Sequence, residues 1–113
     1  MLSMTTDKVI AEVAAERERQ NAKWGGATND DQYNPLDWHE MIADYNAWAR
    51  RMACMGSLDK ARNRYVQLAA LAVAAVEALD RKAESLKTPN AEVSGAGTAS
   101  AGLPGYTAGD NTE

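Results

Sequence analysis

Tyr65-Val66-Gln67-Leu68-Ala69-Ala70-Leu71-Ala72-Val73-Ala74-Ala75-Val76-Glu77-Ala78-Leu79-Asp80 is apolar nearly all the way round a helix. A helix of that kind has to be covered on several sides. Its Ala and Leu content favours helix over strand, and Val66, Val73 and Val76 are too scattered to reverse that preference. Gln67 and Glu77 interrupt it, and it falls short of the ~18 nearly uncharged apolar residues that a membrane span requires. The expectation is the central helix of a bundle, without a membrane partner.

Working outward, this helix runs from about Leu58 to about Leu86. Before it, Trp38, Met41, Ile42, Tyr45, Trp48, Ala49, Met52 and Met55 recur at i, i+3, i+4, i+7 and predict an amphipathic helix. Asn34 is its expected cap, with Pro35 at the first helical position, where a missing N–H costs nothing. Gly56 ends it, and so short a connection predicts antiparallel packing of the two helices. Earlier still, Val9, Ile10, Val13 and Ala14 predict a first helix, capped by Thr5, Thr6 or Asp7 and ending near Trp24. Residues 25–33 carry turn formers without an apolar period and read as a loop. The fold class is therefore all-α, a three-helix bundle unit with helices 2 and 3 antiparallel. Residues 1–87 form the domain, and 88–113 read as a disordered Gly/Ala/Ser/Thr-rich tail unable to bury enough surface to order itself.

A core of this size is marginal alone, and three helices cannot cover every side of residues 65–79, so a homo-oligomer is expected, a dimer or a multiple of one. All 12 Lys and Arg lie before residue 88 with 13 of the 16 acidic residues; the rest are Glu92, Asp110 and Glu113. The folded part is thus close to neutral, which argues against general nucleic-acid binding. Cys54 is the single cysteine and excludes an internal disulfide. The first residues lack a charged-then-apolar leader pattern, so a cytoplasmic location is expected.

Three groups of residues carry possible chemistry. Arg50, Arg51, Lys60, Arg62 and Arg64 gather around one end of the bundle, where phosphate is the natural ligand; a solvated helix end is the plainer reading. Arg17, Gln20 and Trp24 continue the inner stripe of the first helix, where Arg17 either has a carboxylate or anion beside it or keeps its head in water. Glu40 and Asp44 share one helix face and Glu77 and Asp80 another, an arrangement that suits magnesium if all four converge. His39 reads as a surface residue, and Cys54 as packing. Gln67 needs partners inside the apolar run. Trp24, Trp38, Trp48, Tyr33 and Tyr45 are candidates for stacking on a nucleobase, although spacing assigns Trp38 and Trp48 to the core.

The run Glu16-Arg17-Glu18-Arg19-Gln20-Asn21-Ala22-Lys23-Trp24-Gly25, then Asp30-Asp31 and Trp38, then the stretch from Val66 to Arg81, resembles a family of small bacteriophage and prophage proteins. That family shows an E-R-x-R-Q-x-x-K-W-G segment and a V-Q-x-A-A-x-A-V-A-x-x-E-x-x-D-R helix. Some members resemble the MazG-like all-α nucleotide pyrophosphohydrolases, oligomeric magnesium enzymes that hold metal with E-E-x-x-E and E-x-x-D segments. Here only Asp44 survives of the first set, Asn63 and Gln67 stand where carboxylates belong, and Glu77 and Asp80 come several turns too late. The resemblance implies a non-catalytic nucleotide binder without a cofactor, with Arg17, Arg19, Gln20, Trp24, Arg50, Arg51, Lys60, Arg62 and Arg64 on the ligand. Sequestration of a cyclic or linear nucleotide immune signal of the host is the role it suggests. The alternatives are a magnesium-dependent nucleoside triphosphate pyrophosphohydrolase using Glu40, Asp44, Glu77 and Asp80, and a helical protein-interaction module.

Overall fold

The computed structural model describes residues 3–87; the expected disordered tail, 88–113, lies outside them. The described chain is all-α, with α1 (Met4–Trp24), α2 (Gly26–Asp30), α3 (Pro35–Cys54) and α4 (Leu58–Leu86). Among the described residues no helix is long and apolar enough to cross a membrane.

Local chemistry sets the helix ends. Ser3, rather than the Thr5–Asp7 group, caps α1 by accepting the Thr6 N–H at 3.1 Å. Gly25 closes α1 with φ +106°, a left-handed conformation that a side chain disfavours, and its N–H returns to the Asn21 carbonyl. Asn34 and Asp37 form a reciprocal capping box at the start of α3, with Pro35 in the first turn as expected. Gly56, at φ +81°, turns the chain between α3 and α4.

The loop expected over 25–33 contains a short helix instead. The left-handed Gly25 reverses the chain, and α2 is then held by its polar side chains. Buried Asn29 donates to the Tyr33 hydroxyl at 3.2 Å, and buried Asp30 accepts from Arg17 at 2.9 Å. The Arg17 contact comes from another helix, thirteen residues away, and turn formers alone gave no helical signal.

α4 is the central element, packing on all three other helices, whereas α1 and α3 do not pack closely on each other. α3 lies antiparallel along α4. Tyr33, Trp38, Met41 and Tyr45 meet Leu71, Ala74, Ala75 and Ala78, with Trp24, Ile42, Trp48 and Leu68 packed around them. Trp38 meets Tyr33 edge to face, with ring centroids 5.0 Å apart. Alanines at most inward positions of α4 let the large α3 side chains approach its backbone, so the core interdigitates large on small.

Candidate functional site

α1 and α4 touch through a polar seam, unlike the apolar contact of α3 with α4. The seam starts at Arg17. Its guanidinium donates to Asp30 at 2.9 Å, to Glu77 at 3.0 Å and to Asn21, tying α1, α2 and α4 together. Of the alternatives open to Arg17, a carboxylate or anion beside it or a head kept in water, the structure shows carboxylates, and two of them. One turn on, buried Gln20 donates its amide to the Gln67 carbonyl oxygen at 3.2 Å, while its own Oε1 has no partner. Gln67 accepts in turn from Arg64 at 2.9 Å. Arg64 is only 7 % exposed, with its guanidinium carbon 5.4 Å from the Trp48 ring centroid and 6.0 Å from that of Tyr45. A buried polar thread thus crosses α4 from α1 to α3.

Where the seam reaches the surface it opens into a groove of about 350 Å³ between Glu12, Glu16 and Arg19 of α1 and Arg62, Asn63 and Gln67 of α4. Each arginine is held by a carboxylate on the wall. Arg19 pairs with Glu16 at 2.7 and 2.9 Å, and Arg62 forms a two-pronged pair with Glu12. The hydrogen bond from Arg62 lowers the Glu12 carboxyl below its ordinary range, and the same contact raises Arg62. The groove offers two forked cations on opposite walls, amides on the α4 wall, and an acid beside each cation.

The residues proposed from sequence for a nucleotide fall into three settings. Arg19 and Arg62 line this groove. Arg17, Gln20 and Arg64 are committed to the seam behind it. Arg50, Arg51 and Lys60 are exposed near the α3–α4 turn, and none of the three is in a salt bridge among the described residues. Arg62 and Arg64 are two residues apart and consequently face different neighbours, Glu12 on α1 and Trp48 on α3. Trp24 is half-buried against the core, with the Lys23 ammonium 5.8 Å from its ring.

The four carboxylates considered for magnesium are not brought together. Glu77 is turned to α1, where Arg17 holds it, while Glu40 on α3 is exposed. Among the described residues no group of three or more metal-ligating side chains is close enough to hold an ion. The i, i+4 spacing of Glu40 and Asp44 is correct for one face, but Glu77 on α4 is engaged by Arg17 of α1. His39 is exposed as expected, and Cys54 is exposed rather than packed. Sequence reasoning missed Glu12 and Glu16, whose only signal was the i, i+3 spacing of Glu16 and Arg19. Comparison of the chain with protein-family models, with curated proteins and with solved structures gives no match.

Proposed function

We propose that the protein binds a nucleotide without turning it over, acting in the bacterial cytosol as a homo-oligomer, and that the groove between α1 and α4 holds the phosphates. The observation that carries this reading is the placement of Arg19 and Arg62 on facing walls of one groove, with the amides of Asn63 and Gln67 beside Arg62 on the α4 wall. Guanidinium forks match phosphate oxygens two at a time, and amides supply a neutral contact to the same group. Glu12 and Glu16 hold the arginines at the groove, and an entering phosphate takes over those hydrogen bonds. Arg50, Arg51 and Lys60 add an attractive field at the neighbouring end of the bundle. The resemblance to small phage proteins supplies the biological form, sequestration of a cyclic or linear nucleotide immune signal.

Calorimetry with a panel of cyclic and linear nucleotides, run with magnesium and with a chelator, tests this. Binding is expected in both conditions and falls with added salt. The double variant Arg19→Gln, Arg62→Gln should weaken it about tenfold or more, since a charge-assisted contact contributes on the order of 1.5–3 kcal/mol. Glu12→Gln frees Arg62 from its competitor and should tighten binding. No heat with any nucleotide refutes the proposal. Pyrophosphate release by the wild type that vanishes in Glu40→Gln and Asp44→Asn would establish the enzyme alternative in its place.

A further inference from the structure

The central helix is covered on one side only. Its inner face meets α3, its flank meets α1, and directly opposite the core Leu58, Tyr65, Val73, Val76 and Leu79 are left between 40 % and 72 % exposed. Positions 58, 62, 65, 69, 72, 76, 79, 83 and 86 of this outer face are spaced four and three residues apart in strict alternation, and all except Arg62 are apolar. A sustained 3.5-residue period keeps one stripe facing a partner helix through a left-handed supercoil, and a helix packed only within its own bundle does not need it.

At the N-terminal end of this stripe α1 and α4 enclose an apolar groove of about 430 Å³, bounded by Val9 and Val13 on one wall and Leu58, Tyr65, Val66 and Ala69 on the other.

We propose that a second copy of the chain covers this face, with the two α4 helices antiparallel and the two-fold axis between Ala72 and Val76. The proposal deepens the homo-oligomer reading above and is independent of the ligand. Three properties of the stripe select this arrangement. Placed so, Tyr65 lies opposite the partner copy's Ala83, Ala69 opposite its Leu79, and Ala72 opposite its Val76, so that between positions 65 and 83 each large side chain of the stripe meets an alanine. The groove beside α1 then receives Leu79, Ala83 and Leu86 of the other copy, which are the apolar residues at the far end of the same stripe. Charge agrees: a parallel pair sets the two Arg62 guanidinium groups level with each other, whereas the antiparallel pair sets Arg62 level with the partner copy's Leu86.

Sedimentation of the full chain at micromolar concentration should give a dimer or a multiple of one, and Val76→Asp should shift it to the monomer with its helical circular dichroism retained. Register is read by cross-linking in a Cys54→Ser background under mild oxidation. Tyr65→Cys mixed with Ala83→Cys should yield a mixed disulfide dimer, while Tyr65→Cys alone should give no disulfide-linked dimer. Residues 65 of the two copies would stand about 27 Å apart along the helices, far beyond disulfide reach. A wild-type monomer overturns the proposal, as does a Tyr65→Cys homodimer or the absence of any mixed product. The cross-link answers the question even where Val76→Asp unfolds the chain.

Discussion

Arg62 and Arg64 differ by two positions and should differ severalfold in what their loss does to stability. Arg64→Met keeps the buried stem and removes the guanidinium. Among the contacts that disappear are the charged hydrogen bond to Gln67 at 2.9 Å and the ring contacts at 5.4 and 6.0 Å. Losing the charged hydrogen bond costs ~1–3 kcal/mol and the desolvated cation–π contacts ~1–2 kcal/mol. Relief of the guanidinium's own desolvation offsets part of that, leaving about 2 kcal/mol. For a domain of this size that is roughly 8–16 °C in melting temperature. Arg62→Met removes a solvent-screened pair with Glu12 and so moves the melt far less. From sequence alone both arginines count as exposed cations whose replacement costs little; burial of Arg64 separates them. Thermal melts followed at 222 nm, in moderate salt and at one protein concentration, make the comparison. Equal small shifts for the two variants, or a more stable Arg64→Met, would refute the account of the polar thread.

Leu71→Asp places a carboxylate where the side chain is 1 % exposed in the core between α3 and α4, so the helical signal should collapse at every protein concentration, unlike Val76→Asp on the outer face. Burial raises the Tyr33 phenol above its ordinary 10.0, with Asp30 and Asp37 adding to the shift against the bond from Asn29. A raised folded-state value means stability that is complete below pH 10 and lost as the pH climbs through the folded value. Denaturant midpoints should therefore fall above pH 10 in the wild type and fall less in Tyr33→Phe.

The helix boundaries were legible wherever a cap or a glycine marks them: Asn34-Pro35, Gly56 and Gly25 each punctuate the chain through its own backbone geometry. The core face of α3 was legible for the same kind of reason, since Trp38, Met41, Tyr45 and Ala49 repeat at the helical period. What α1 does was only half legible. Its stripe pointed Arg17 and Gln20 inward, and the need of Arg17 for a carboxylate followed from burial; that the carboxylates are Asp30 and Glu77 depends on how α2 folds back and on the rotation of α4. The pairing of Arg62 with Glu12, fifty residues away, has no local signature at all. The acidic constellation misled because spacing along a helix fixes which residues share a face and leaves open which neighbour that face meets. On α4 the apolar surround also hid the inner face, and only the placement of α3 shows that Leu71 looks inward and Val76 outward.

The attachment of α1 through side-chain polar groups gives the domain two grades of cohesion. α3 and α4 are joined by a three-residue connection and an apolar interface, so they form a hairpin that closes early and opens last. α1 is fastened at Arg17 and Gln20, and its opening turns, with Val9 and Ile10 substantially exposed, have only the rim of α4 beneath them. Amide protons there should exchange on a shorter timescale than those of the α3–α4 hairpin. The wall of the groove that carries Glu12 and Arg19 is therefore the wall able to swing, and a ligand bridging it to Arg62 would draw the amide exchange of α1 toward that of the hairpin.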